Sequence, residues 1–318
     1  MIVTIPTIRA PCHSMARATA TSMNCCTPRP GTLPENRGQS AMNIDTYVDW
    51  QSESGAGSAC GSAAKLTISE QQASDFARGE ARDFNPIHDP DNRRFCVPGD
   101  LLFSALMHHY GVASQTRVDF LGMLDGNTSL SLPVIEDVAG EAFEPGAAAM
   151  NGDDVAAASL PGQAILTDAN GRDMLRLTLV GRRRHNADML ARLCSQYVRF
   201  SGQTFPEILV PVMRDAGRMI NPTRPLVIYR DMRIDIEESG DSDDLVAIDL
   251  EYTGAESHIN GRKGDVSLNF DLVADGKLVG RGQKNLMLGG LRDYDEDAMQ
   301  QIVDDYEQRR SGKGQRFA

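Results

Sequence analysis

The sequence predicts an α+β fold in which antiparallel sheet wraps long apolar helices, and it predicts that arrangement twice. Two observations carry this. Residues 101–113 form an apolar run with little polar face, as a helix buried on all sides requires. Short β-type runs follow it at 117–124, 128–135, 162–168 and 173–184. Helical residues 186–200 and 205–220 then precede strands at 226–237, 244–253, 265–274 and 277–288. A long apolar helix beside antiparallel strands buries itself against a curved sheet. Two such units can pair edge to edge into one sheet, which uses up two exposed edges.

The chain has 318 residues, enough for about two domains, and its 41% hydrophobic and 24% charged content is ordinary for a globular protein. Residues 1–62 stand apart. The first 41 hold Arg9, Arg17, Arg29 and Arg37 against Glu35 alone, a composition similar to a transit peptide. Prolines interrupt the segment and no amphipathic helix is visible, so it reads instead as an upstream extension, with Met42 opening the native chain. Ser52 to Ala64 reads as a flexible Gly/Ser/Ala linker, and the whole of 1–62 is expected to be disordered. That segment carries four basic and four acidic side chains, so the net charge of −12 belongs to residues 63–318.

This acidity argues against general nucleic-acid binding, and no apolar run reaches the ~20 residues of a membrane helix. The six cysteines are too few and too scattered for a disulfide framework, and the adjacent Cys25 and Cys26 have no C-x-x-C pair or histidine partner beside them to support a zinc site. Free thiols fit a cytoplasmic protein.

From residue 63 the organisation reads as a first repeat to 185, a second over 186–290 and a polar C-terminal helix and tail over 291–318. Lys65 to Ile68 is a short strand, and Ser69 caps a helix running to about Arg82. Asn170-Gly171 and Asp275-Gly276 are hairpin turns, whereas residues 136–160 read as a loop. Pro206 sits near the start of the 205–220 helix, where proline is tolerated.

The densest chemistry lies at Arg82-Asp83-Phe84-Asn85-Pro86-Ile87-His88, followed by Val97-Pro98-Gly99-Asp100 at the start of the apolar helix. A carboxylate, an amide and an imidazole fall within six residues. Pro86 fixes its own φ and biases Asn85 toward extended backbone. A water held between Asp83 and His88 can lose a proton to one group while the other supplies one. The Gly99 amide, at a helix N-terminus, can donate to a developing oxyanion.

Asp83 to His88 fits D-x-N-P-x-H, and over residues 80–112 the chain resembles the MaoC-like hydratases of the hotdog fold, including the (R)-specific enoyl-CoA hydratases. The resemblance implies a hotdog fold, here a double hotdog, and hydration of a 2-enoyl thioester or dehydration of the 3-hydroxyacyl form. It implies Asp83 and His88 as the acid–base pair, Asn85 as a support, and Pro98, Gly99 and Asp100 as the oxyanion and substrate segment. It implies no cofactor beyond the thioester substrate, carried by coenzyme A or acyl carrier protein as partner, in a monomer or homodimer. Where the family usually has Ser-Gly before the Asp, this chain has Ala81-Arg82, and the second repeat contains no D-x-N-P-x-H.

Such carriers are anionic, and Arg93, Arg94, Arg182 and Arg183 are candidate phosphate contacts, with Arg262 and Lys263 as rivals. Arg182 to Arg184 can equally be a solvated strand end. His108 and His109 on the apolar helix read as core or interface histidines. Glu256 and His258 are placed in a turn between strands. No G-K-[ST] loop or Gly-x-Ser-x-Gly elbow is present. Three readings stay open: a hydratase, a hotdog thioesterase, and a non-catalytic acyl-thioester binding protein in which Asp83 and His88 merely order a turn.

Overall fold

The computed structural model describes residues 42–52, 63–137, 162–237 and 248–312. Its elements are β1 (Asp49–Ser52), β2 (Ala64–Thr67), α1 (Glu70–Gly79), α2 (Gly99–Tyr110), β3 (Val112–Phe120), β4 (Ser129–Leu132), β5 (Glu136–Asp137), β6 (Gly162–Thr167) and β7 (Asp173–Arg184). The second half adds α3 (Ala187–Gly202), α4 (Leu209–Asp215), β8 (Arg218–Met219), β9 (Leu226–Ile236), β10 (Ile248–Asn260), β11 (Lys263–Ala274), β12 (Lys277–Gly289), β13 (Arg292–Asp293) and α5 (Glu296–Arg310).

One antiparallel sheet runs in the order β1-β2-β4-β6-β7-β3-β9-β12-β11-β10. Outward from its middle, the first half reads β3, β7, β6, β4 and the second reads β9, β12, β11, β10. In both halves the strand after the long helix lies at the seam, and the last strand of the half lies next to it. The two runs of strands therefore share one strand order. At the seam Arg117 lies opposite Arg233, flanked by Gln115 opposite Asp235 and Asp119 opposite Asp231. Paired guanidiniums there are tolerated because Asp119 lies 2.6 Å from Arg117 and Asp231 lies 3.1 Å from Arg233.

The long helices lie against this sheet and against each other. In α2 every residue from Asp100 to Met107 is buried, as is Tyr110. Phe103 of α2 stacks on Tyr197 of α3 with ring centroids 4.3 Å apart, and Tyr197 meets Phe270 of β11 edge-on at 5.4 Å. Helix α1 starts on a full capping box: Ser69 accepts from the Gln72 amide and Gln72 accepts from the Ser69 amide.

Several expectations are corrected. Residues 42–52 are not structureless, because Met42, Ile44 and Val48 are buried and β1 pairs with β2. Trp50 of β1 also stacks over His108 and His109, at 6.0 and 5.4 Å, which places both histidines under this segment. Residues 1–41 and 53–62, and nearly all of the expected 136–160 loop, lie outside the described residues. The 205–220 helix shrinks to α4, because Phe205, preceding Pro206, takes extended backbone (φ −122°, ψ 131°), as pre-proline residues prefer. Glu256 and His258 belong to strand β10, which runs on to Asn260.

Candidate functional site

The Asp83–His88 turn is held by its own side chains. The Asp83 carboxylate accepts from the Asn85 amide at 2.9 Å, and the Asn85 side-chain oxygen accepts from the Ile87 amide at 3.2 Å. Pro86 then opens a single 3-10 turn, Pro86–His88. Asn92 donates to the Pro86 carbonyl at 2.7 Å and the Cys96 amide to the Ile87 carbonyl at 3.0 Å, which fastens the turn to the segment leading into α2. Asp89, just beyond, is gripped from two sides by Arg78 of α1 and Arg309 of α5.

His88 points its Nδ1 at the Cys96 carbonyl, 2.7 Å away. A carbonyl only accepts, so Nδ1 carries a proton and Nε2 faces Asp83 Oδ2 at 3.6 Å. The histidine side chain is 13% exposed and the aspartate 32%. Burial alone pulls the His88 imidazole toward neutrality. The Asp83 carboxylate, the Cys96 carbonyl and the charge of Asp100 outweigh it, so its pKa is raised above 6.5. A raised folded value means that protonated His88 stabilises the fold below about pH 6.5 and that this contribution is lost as pH rises through the folded midpoint. We expect the His88 resonances to titrate above 6.5, and Asp83→Asn to lower that midpoint; an unchanged midpoint would separate the two groups electrostatically.

Arg82 is exposed and adopts left-handed backbone (φ 52°), a conformation that costs a non-glycine residue roughly 1 kcal/mol. The turn also rests on Gly202 at the end of α3, where an added Cβ would overlap the Ala81 carbonyl.

Pro98 caps the start of α2 and its carbonyl accepts from the Leu101 and Leu102 amides at 3.1 and 3.2 Å, which leaves the Gly99 and Asp100 amides at the open end of the helix. Gly99 must lack a side chain: a Cβ there would lie 2.9 Å from Tyr229 and 3.3 Å from Phe120. Asp100 is engaged from within the protein. Its carboxylate is buried and receives Lys284 Nζ at 2.8 Å and the Ser201 hydroxyl at 2.8 Å. Lys284, fully buried, also donates to the Tyr197 carbonyl at 2.7 Å and to Ser201, and lies 3.8 Å above the Tyr197 ring. Burial draws Lys284 below the usual lysine range, and Asp100 opposes that pull. Asp100, expected in the substrate segment, thus also has an anchoring role. It ties the start of α2 to α3 and β12.

These groups share one cavity of about 600 Å³. Asp83, Asn85, His88, Pro98, Gly99 and Asp100 all line it. So do residues that sequence reasoning missed: Ser201 from α3, Tyr229 from β9, and Tyr306 and Arg309 from α5. The remaining wall is largely apolar, with Ile87, Leu102, Phe120, Leu124, Val227 and Leu286 among its members. Leu121, Met123 and Met287, which are more than a third exposed, mark its outer rim. Both halves therefore build the cavity, although only the first carries the acid–base turn.

The arginines expected at a carrier phosphate are dispersed. Arg94 reaches the Pro225 carbonyl at the cavity edge, 3.4 Å away, and Arg93 is exposed beside it. Arg182 and Arg183 do not line the cavity; Arg183 is buried over Gly162 in the sheet. The Cys96 thiol lines the cavity, but burial pushes its pKa up to about 11, which removes it as a neutral-pH nucleophile. Among the described residues no group of His, Cys, Asp and Glu could hold a metal, and no helix is long and apolar enough to cross a membrane.

The molecule is thus an α+β protein with a tethered Asp–His pair at the wall of a largely apolar cavity that the start of α2 also lines. It belongs to the family described as "Protein of unknown function (DUF3581)", whose model matches residues 60–144 and 148–297. No curated protein matches the chain. Among solved structures it is similar to a conserved protein with hot dog fold from Alicyclobacillus acidocaldarius, at 9% identity and TM-score 0.42, covering 77% of this chain and 97% of that one. It is also similar to an acyl-CoA thioesterase II TesB2 from Mycobacterium marinum, at 9% identity and TM-score 0.38, with coverage of 80% and 99%. A MaoC-like dehydratase from Phytophthora capsici has 10% identity and TM-score 0.30, covering 76% and 98%.

Proposed function

We propose that the protein is a double-hotdog lyase that adds water reversibly to a 2-enoyl thioester. The observation that carries this reading is the Asp83–His88 pair, fixed in tautomer by the Cys96 carbonyl and set in a cavity wall that also contains the Gly99 helix start. A separation of 3.6 Å is too long for a direct hydrogen bond and suits a water shared by both groups.

In the forward direction the water oxygen bonds to C3 of the enoyl group and its proton passes to the Asp83 carboxylate. The C2–C3 π electrons move toward the thioester oxygen, which the Gly99 amide meets at the positive end of α2. The His88 imidazolium then delivers a proton to C2, the carbonyl re-forms, and the Asp83 proton returns to His88. Asn85 contributes by holding the turn that aims the carboxylate. The carrier is coenzyme A or the phosphopantetheine arm of acyl carrier protein; Arg309 lines the cavity and Arg94 reaches the carbonyl of the lining residue Pro225.

The largely apolar wall sets the expected substrate trend. Each methylene removed from water contributes about 0.8 kcal/mol, or about fourfold in affinity. With a chain-length series of 2-enoyl thioesters, we expect products heavier by one water with the thioester intact, and kcat/KM rising about fourfold per methylene until the cavity is filled. A rate that is flat across the series contradicts an apolar acyl site. Product lacking the thioester contradicts the hydratase reading and favours hydrolysis.

A further inference from the structure

The C-terminal helix α5 is polar along most of its length, yet two of its residues, Met299 and Tyr306, are buried. Tyr306 is 224 residues from Arg82 in sequence, and its hydroxyl meets the Arg82–Phe84 backbone and the Asp83 side chain. It accepts from the Phe84 amide at 3.3 Å and lies 3.4 Å from the Arg82 carbonyl and 3.5 Å from Asp83 Oδ1. Its ring packs edge-on against Phe84 at 6.0 Å and Phe205 at 5.1 Å. Three residues further along, Arg309 binds Asp89 at the far end of the same turn at 2.8 Å. Arg310 secures the helix from behind through Glu207 at 2.8 Å.

We propose that Tyr306 is a positioning residue for the acid–base pair: its hydroxyl holds the left-handed Arg82–Phe84 backbone and directs the Asp83 carboxylate toward His88. The inference rests on the reading of Asp83 and His88 as the working pair. The turn's own hydrogen bonds, Asn85 amide to Asp83 and Ile87 amide to Asn85, fix residues on the C-terminal side of Asp83. On its N-terminal side the Asp83 amide donates to the Ala77 carbonyl at 2.8 Å, while Arg82 stands in a conformation that its side chain disfavours. None of these bonds reaches the Phe84 amide or the outer face of the Asp83 carboxylate; a single hydroxyl that accepts from Phe84 and lies beside Arg82 and Asp83 adds a constraint on both. Burial, and then the charge of Asp83, push the Tyr306 hydroxyl above its ordinary pKa, so it remains a protonated donor throughout the working range.

The substitution Tyr306→Phe keeps the ring contacts and removes only the hydroxyl. The decisive readout is the His88 titration midpoint, followed by NMR in the full chain. The groups acting on His88 are Asp83, the Cys96 carbonyl and the charge of Asp100. Of these, only Asp83 touches Tyr306. Loss of the hydroxyl is therefore expected to lower the midpoint by about half a unit, roughly a threefold change in proton affinity. In the hydration assay we expect kcat to fall about tenfold with KM within about twofold, because geometry at the reacting atoms is lost and acyl binding is not. Arg310→Gln loosens the same helix without touching the hydroxyl and should leave the midpoint in place. An unchanged His88 midpoint in Tyr306→Phe, or an equal drop in Arg310→Gln, overturns the proposal. If the wild-type protein hydrates no enoyl thioester, the proposed reaction falls, and the titration alone still decides the role of Tyr306.

Discussion

Replacing Lys284 with methionine is expected to cost about 3–5 kcal/mol of stability and to lower Tm by about 10 °C. The reason is the company Lys284 keeps. Its ammonium is wholly buried and its contacts include the Asp100 carboxylate, the Tyr197 carbonyl and the Ser201 hydroxyl, so the methionine leaves Asp100 buried without its counter-ion. Removing one partner of a buried pair is costly because the other charge stays desolvated. Exchanging both, in Lys284→Met with Asp100→Leu, should restore much of the loss, since an apolar pair carries no desolvation penalty. Arg214→Gln, which breaks an exposed pair with Glu296, should hardly move Tm. Thermal melts of the wild type and these three variants check this. Equal shifts for Lys284→Met and Arg214→Gln would contradict the buried-anchor account. Because Asp100 follows Gly99, the surviving folded Lys284→Met protein should also lose the fixed start of α2.

The second large effect concerns turnover. His88→Ala is expected to lower kcat for enoyl-thioester hydration by about a thousandfold, within the range seen when a positioned acid or base is removed. Asp83→Asn should act in the same direction and, because the two groups work on one water, the double variant should be little worse than either single one. KM should change much less than kcat, since the acyl wall of Leu102, Phe120 and Leu286 is untouched. Steady-state kinetics decide it. Additive losses would indicate two independent tasks.

Local signals explain what could be read in advance. The Ser69 capping box, the Asn85-Pro86 turn and the Asp275-Gly276 hairpin are each encoded within a few residues. The last is seen as positive φ at both positions (48° and 74°). The alternation of β12 carried a further clue, because Lys284 shares a sheet face with the buried Leu286 and Leu288 and so had to point inward. Its partner, 184 residues away, had no local signature. Tyr306 was equally hidden, since nothing within a mostly polar helix indicates which turn it will cover. The strand β1 was missed because four residues within a Ser- and Gly-rich surrounding gain their order only from pairing with β2 and from Trp50 on the histidines.

In the proposed reaction Asp83 and His88 direct water to a conjugated thioester. Giving the purified protein a 2-enoyl-CoA while following both the loss of conjugated absorbance and the release of free thiol separates that reaction from hydrolysis. The wild type is expected to lose absorbance without releasing thiol, and folded Asp83→Asn and His88→Ala variants to give neither signal. Thiol release by the wild type, or wild-type rates in both variants, would contradict it.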